Sequence, residues 1–244
     1  MKQLVRFTTL ETKLFFRDPA NWIVTLMLPT LILVILGSLP GLRTPDTAFG
    51  GQRFIDLFAP SLIVVTLATL GVNALPIRLA TYREKGILRR LSMTPVRPAT
   101  LLVAQLVLNL AVAIGAVLLL ISVGHLGFEV PVPRHIVGFS VAFLLGMTSL
   151  FGLGLLVAAV ASTARAATAL SLPLFFISMF LGGVYLPRVF LPDFLLRIGE
   201  YTPPGVQAML DAWMGSPPQL PQLLTMAVIT VVAGGLAARA FRWE

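Results

Sequence analysis

The residues best suited to chemistry are charged ones crowded into one stretch. Arg78, Arg83, Lys85, Arg89, Arg90 and Arg97 make up six of the chain's eighteen Lys and Arg, and Glu84 stands among them. The flanking stretches, residues 57–77 and 98–124, carry no charge. Guanidinium and ammonium groups at this density pair with carboxylates or phosphates. They do not make a catalyst. No HExxH pattern and no G-x-x-x-x-G-K-[ST] occurs, and there are no cysteines. A P-loop ATPase, a zinc protease of that type and a cysteine nucleophile are therefore excluded. His125 and His135 sit at the ends of apolar runs and read as anchors of helix termini rather than metal ligands. Asp56 is the ionisable residue that comes nearest to the middle of an apolar run. Ion-coupled carriers usually place an ionisable group or a broken helix in the membrane, and channels a charged ring or carbonyl filter. The available chemistry is electrostatic docking, and any energy must arrive from another protein.

The elements that hold this cluster are set by hydrophobicity. Of 244 residues, 57% are hydrophobic and 11% charged, against roughly 25% charged in soluble domains. The bilayer must solvate most of such a chain. The net charge of +8 does not indicate nucleic acid, because no helix or strand pattern interleaves basic with aromatic residues.

Hydropathy predicts an all-α membrane protein with six spans, at about residues 21–40, 55–77, 101–124, 136–161, 168–186 and 220–238. Each is long enough for a hydrocarbon core of about 30 Å. Residues 1–18 form a separate unit: Leu4, Phe7, Leu10 and Leu14 recur at helical spacing, with basic residues mostly off that stripe. This predicts an amphipathic interfacial helix with its apolar side toward the membrane. Pro19 separates it from the six-span domain, residues 19–244. Pro29 should kink the first span. Gly138, Gly146, Gly152 and Gly154 suit close contact of the fourth span with a neighbour. Between spans five and six, Pro192-Asp193 opens one short helix. Val206, Met209, Leu210 and Trp213 mark a second, amphipathic one. Both read as a cap on the outer membrane surface, with Trp213 and Tyr201 in an aromatic belt.

Orientation follows from basic residues. The N-terminus, the loop after span two, the turn after span four and the C-terminus together hold thirteen Lys and Arg. The other side holds five: Arg43, Arg53, Arg134, Arg188 and Arg197. The basic side is cytoplasmic by the positive-inside rule, which puts both termini in the cytoplasm.

Four stretches then resemble one family. They are Glu84-Lys85-Gly86-Ile87-Leu88-Arg89-Arg90-Leu91 with Thr94-Pro95, Phe16-Arg17-Asp18-Pro19, Gly182-Gly183-Val184-Tyr185-Leu186-Pro187 with Leu191-Pro192, and Tyr201-Thr202-Pro203-Pro204. In this order they resemble type-2 ABC transporter permeases, closest to bacterial drug exporters of the daunorubicin-resistance kind. Arg89-Arg90 departs from the pattern, where an acidic residue is common. The resemblance implies a non-catalytic permease in a prokaryotic cytoplasmic membrane, paired with a second permease chain and with ABC ATPase subunits that hold ATP and Mg. It implies outward movement of a hydrophobic or amphiphilic compound, with lipid or glycoconjugate export and an ATPase-independent carrier as alternatives. The ATPase-docking helix of such families corresponds to Tyr82, Arg83, Glu84, Lys85, Gly86, Ile87, Leu88, Arg89, Arg90 and Leu91. A substrate path between spans two and five corresponds to Thr66, Thr69, Asn73, Phe175, Phe176, Met179 and Phe180.

Overall fold

The computed structural model describes residues 2–49, 51–93, 99–185 and 190–240. Thr94-Pro95 and Leu186-Pro187 lie outside the described residues. The chain forms an all-α membrane protein.

The N-terminal helix α1 (Lys2–Arg17) forms where the apolar spacing predicts it, but it docks against protein as well as facing outward. Glu11 and Phe15 are buried, Leu4 and Phe7 are half-buried, and Leu10 and Leu14 are exposed. The buried face is thus rotated by about 60° from the predicted stripe, at 3.6 residues per turn. The reason is that α1 carries two adjoining apolar faces, and the one flanking Glu11 finds polar partners inside the protein.

Helices α2 (Pro19–Trp22) and α3 (Leu28–Gly37) are joined by a π-helical turn, Ile23–Met27. A second π turn, Thr69–Ala74, joins α5 (Phe54–Ala68) to α6 (Leu75–Glu84). Each π turn ends two residues before a proline, Pro29 and Pro76. A proline lacks the amide donor and its ring crowds the preceding turn, so the hydrogen-bond ladder resets there with a wide turn. The bend predicted at Pro29 takes this form. Between the two long helices lie α4 (Pro40–Arg43) and a two-residue ribbon, Pro45–Asp46 paired antiparallel with Gln52–Arg53.

The α5–α6 helix continues to Glu84, past the predicted end at Ile77. Short α7 (Ile87–Ser92) follows. Then come α8 (Ala99–Phe128), α9 (Ile136–Val160), α10 (Ala164–Leu181), α11 (Asp193–Glu200), α12 (Val206–Met214) and α13 (Leu220–Ala240). Among the described residues, five helices are long and apolar enough to cross a membrane, and the apolar part of the first, Ile23–Gly37, is shorter. α10 begins four residues before the predicted span and stops at Leu181, where Gly182 and Gly183 follow.

The buried α5–α6 helix is the centre of the packing. The glycines of α9 set its neighbours. A Cβ on Gly154 would collide with the Gly71 carbonyl oxygen in the second π turn, and one on Gly146 with the Pro204 carbonyl oxygen. At Gly152 the backbone of α13 stands 3.4 Å from the same position. Small residues therefore let α9 touch three elements at backbone distance. The predicted external helices exist as α11 and α12, but α12 does not lie on the surface. Val206, Met209 and Trp213 are buried against α5 and α9, and Trp213 packs edge-on to Phe139 at 5.7 Å. The aromatic-belt reading of Trp213 is corrected accordingly, whereas Tyr201 is exposed.

Candidate functional site

The site is built at the last turn of α6. Three consecutive side chains leave this turn toward three different elements. Tyr82 Oη donates to both carboxylate oxygens of Glu11 in α1, at 3.0 Å each. Gln105 Nε2, in α8, donates to the same carboxylate, and Arg78 stands 3.9 Å from it. Glu11 and Gln105 are buried, so this is a polar network enclosed by α1, α6 and α8. Burial raises the Glu11 carboxyl above its ordinary value of 4.5, against the lowering effect of Tyr82, Arg78 and Gln105.

Arg83 turns the other way. Its guanidinium donates to the carbonyls of Ala158 at 2.8 Å and Ala161 at 2.6 Å. These belong to the end of α9, where carbonyls lack helical partners and the dipole favours a cation. Glu84 Oε2 accepts from the amide of Ala164 at 3.0 Å, the first residue of α10. That is the matching arrangement at a helix N-terminus, an acid on an orphan amide. Arg83 and Glu84 together hold the turn between α9 and α10 against the end of α6.

The chain then breaks at Lys85-Gly86. Gly86 has φ +67°, a left-handed conformation that suits glycine. α7 follows with Leu88 buried, Ile87 half-buried, and Arg89, Arg90 and Met93 exposed. Leu91 lies in α7. The predicted docking segment therefore divides at Gly86. Tyr82, Arg83 and Glu84 are the end of a span and make internal contacts. Lys85, Arg89 and Arg90 present charge outward.

The predicted path residues occupy buried, half-buried and exposed positions in this chain. Thr66 and Met179 are buried in the core. Phe175 is half-buried, whereas Phe176 and Phe180 lie on an exposed face of α10, Phe176 stacked on Tyr185 at 6.0 Å. Thr69 and Asn73 line a separate groove of about 480 Å³ near the basic end. Val24 of the first π turn, and Asp18, Arg78 and Tyr82, share that groove.

At the opposite end, Arg53 binds Asp56 through two contacts of 2.7 and 2.8 Å. It also donates to the carbonyls of Phe128 and Glu129, closing the end of α8 onto the start of α5. His125 meets the Val130 carbonyl at 3.1 Å and His135 caps α9 by accepting from Gly138, so both anchor helix termini as predicted.

Glu11 and Gln105 escaped the sequence reading. The signal was present: Glu11 lies four residues from both Phe7 and Phe15, and Gln105 interrupts an uncharged apolar run.

The chain is a helical, multi-pass integral membrane protein whose helix ends, held by Tyr82, Arg83 and Glu84, gather at one basic pole. Residues 2–206 match the family described as ABC-2 type transporter, and the chain belongs to that family. Membership makes it a membrane permease subunit of an ABC transporter and implies an ABC ATPase as partner. A comparison with curated proteins returned no match.

Proposed function

We propose that this chain is the permease of an ATP-driven exporter, close to the daunorubicin-resistance kind, that moves a hydrophobic or amphiphilic compound out of a prokaryotic cell. It crosses the cytoplasmic membrane six times, the shorter Pro19–Gly37 helix being the first crossing, with both termini in the cytoplasm. Two permease chains assemble with two ATPase subunits, and ATP and Mg are held by the ATPases.

The observation that carries this reading is the division at Gly86. Lys85 at the break and Arg89 and Arg90 on short α7 face outward. Directly above it, Tyr82, Arg83 and Glu84 contact α1, α9 and α10. A push on α7 would reach these elements through one helix end, which is what transmission from an ATPase requires. The basic side chains suit carboxylates on the partner, setting register and association rate more than affinity.

The test asks whether a neighbouring gene encodes a P-loop ATPase and whether that ATPase copurifies with this chain. Lys85→Glu with Arg90→Glu should slow association and lower the yield of copurified ATPase, and charge reversal on the ATPase groove should restore it. Undiminished retention of the ATPase by the double variant, with transport intact, would refute docking at α7.

A further inference from the structure

At the end opposite the basic cluster, a cleft of about 340 Å³ opens between the start of α5, the end of α10 and the two short helices α11 and α12. Its wall is aromatic. Phe54 and Phe58 stack at 5.2 Å with 17° between their planes, and Phe49 meets Phe54 at 5.3 Å. Two carboxylates enter this wall, Glu200 from α11 and Asp211 from α12. Gln207 donates to one Asp211 oxygen at 2.7 Å. Glu200 has no hydrogen-bond or ion-pair partner among the described residues, although it is half-buried. No Lys or Arg lines the cleft among the described residues. At this pole Arg53 is committed to Asp56, Arg43 lies over the Phe128 ring at 5.8 Å, and Arg134 and Arg197 are not among the residues lining the cleft.

Carboxylates beside apolar surface lose hydration, and the Gln207 amide on Asp211 replaces only part of it. A neutral or anionic guest would deepen that cost. A small inorganic cation would satisfy the charge and leave the aromatic wall idle. A guest with a positive charge on an apolar body answers both, through the carboxylates and through the negative faces of the rings. We propose that the cleft is a binding site for lipophilic organic cations. Its role as a receiving site for exported cargo rests on the exporter reading above, but binding itself does not.

The test uses the full chain in nanodiscs, with tetraphenylphosphonium as probe and tetraphenylborate as its anionic counterpart of like shape. Empty nanodiscs correct for partition into lipid. Saturable phosphonium binding is expected, and tetraphenylborate should not compete. Glu200→Gln with Asp211→Asn should weaken phosphonium binding about tenfold or more, the scale of lost charge-assisted contacts. Both replacements keep side-chain shape, and an unchanged melting temperature verifies the fold. Phe58→Leu, which removes the ring face and keeps apolar bulk, should weaken binding several-fold. Phosphonium binding indifferent to the neutralised pair, or equal binding of the borate, overturns the proposal. The two readings fail separately. If phosphonium binds through this pair and no ATPase associates, the site stands and the exporter reading falls. If the assembled complex exports another cargo and the cleft takes no phosphonium, the reverse holds.

Discussion

Replacing Glu11 with alanine removes the acceptor on which α1, α6 and α8 converge. Tyr82 Oη, Gln105 Nε2 and the Arg78 guanidinium, 3.9 Å away, lose their carboxylate together. Breaking a buried charged network costs about 3–5 kcal/mol. The low end applies, because Tyr82 and Arg78 are only half-buried and can find water. At about 3 kcal/mol, the equilibrium between docked and undocked α1 shifts by about a hundredfold. Hydrogen exchange of α1 backbone amides in nanodiscs reads this directly. Protection should fall by about that factor in Glu11→Ala, and Glu11→Gln should recover part of it, because an amide oxygen still accepts from Tyr82. Phe15→Ala supplies the contrast, since it deletes the buried ring and leaves the polar network. If Glu11→Ala leaves α1 protected and Phe15→Ala alone releases it, apolar contact carries the docking and the network reasoning is wrong.

Acidification should strengthen α1 docking. Burial lifts the Glu11 carboxyl above 4.5, so the folded state holds this proton more tightly than the unfolded one. The stabilisation linked to it is complete below 4.5 and fades as pH rises through the raised value. Arg78 and Tyr82 are the charged and titratable groups facing it, and Glu11→Gln should flatten the pH dependence in the same exchange assay. Gly154→Ala should lower thermal stability by about 2–3 kcal/mol, because the new methyl meets the Gly71 carbonyl oxygen rather than a yielding side chain. Gly234→Ala, with open space around its Cβ position, should be near neutral in the same melt. Arg83→Ala should cost about 2 kcal/mol through the lost carbonyls of Ala158 and Ala161. It should also lower transport per ATP hydrolysed in the reconstituted complex, and an unchanged ratio would separate the clamp from coupling.

Hydropathy made the fold legible because lipid demands uninterrupted apolar helices, and uncharged runs such as 98–124 permit few other readings. The glycines of α9 were legible for a related reason, since small residues in a span are explained by what approaches them. Helix ends were not. Ile77 ends an apolar run, but the backbone bonds of α6 continue to Glu84 once its side chains find partners inside the protein. Those partners are Glu11, the end of α9 and the start of α10, all distant in sequence. The same logic explains α1, where periodicity shows an apolar stripe and only the tertiary contact shows which side of it is buried. A span seen as a string gives no bearing: Phe176 and Met179 are three positions apart, and one is exposed while the other is buried.

The π turn at Thr69–Ala74 means that the central helix carries one surplus residue. If that turn relaxed to α geometry, everything beyond it would rotate by about 100° and advance by about 1.5 Å. Neighbouring residues on a helix differ in bearing by the same angle. Arg83 would then point where an adjacent side chain now points, away from the carbonyls of α9. The contacts of Tyr82, Arg83 and Glu84 are incompatible with that relaxed register, so together they act as a ratchet pawl, keeping the extra residue wound into the screw.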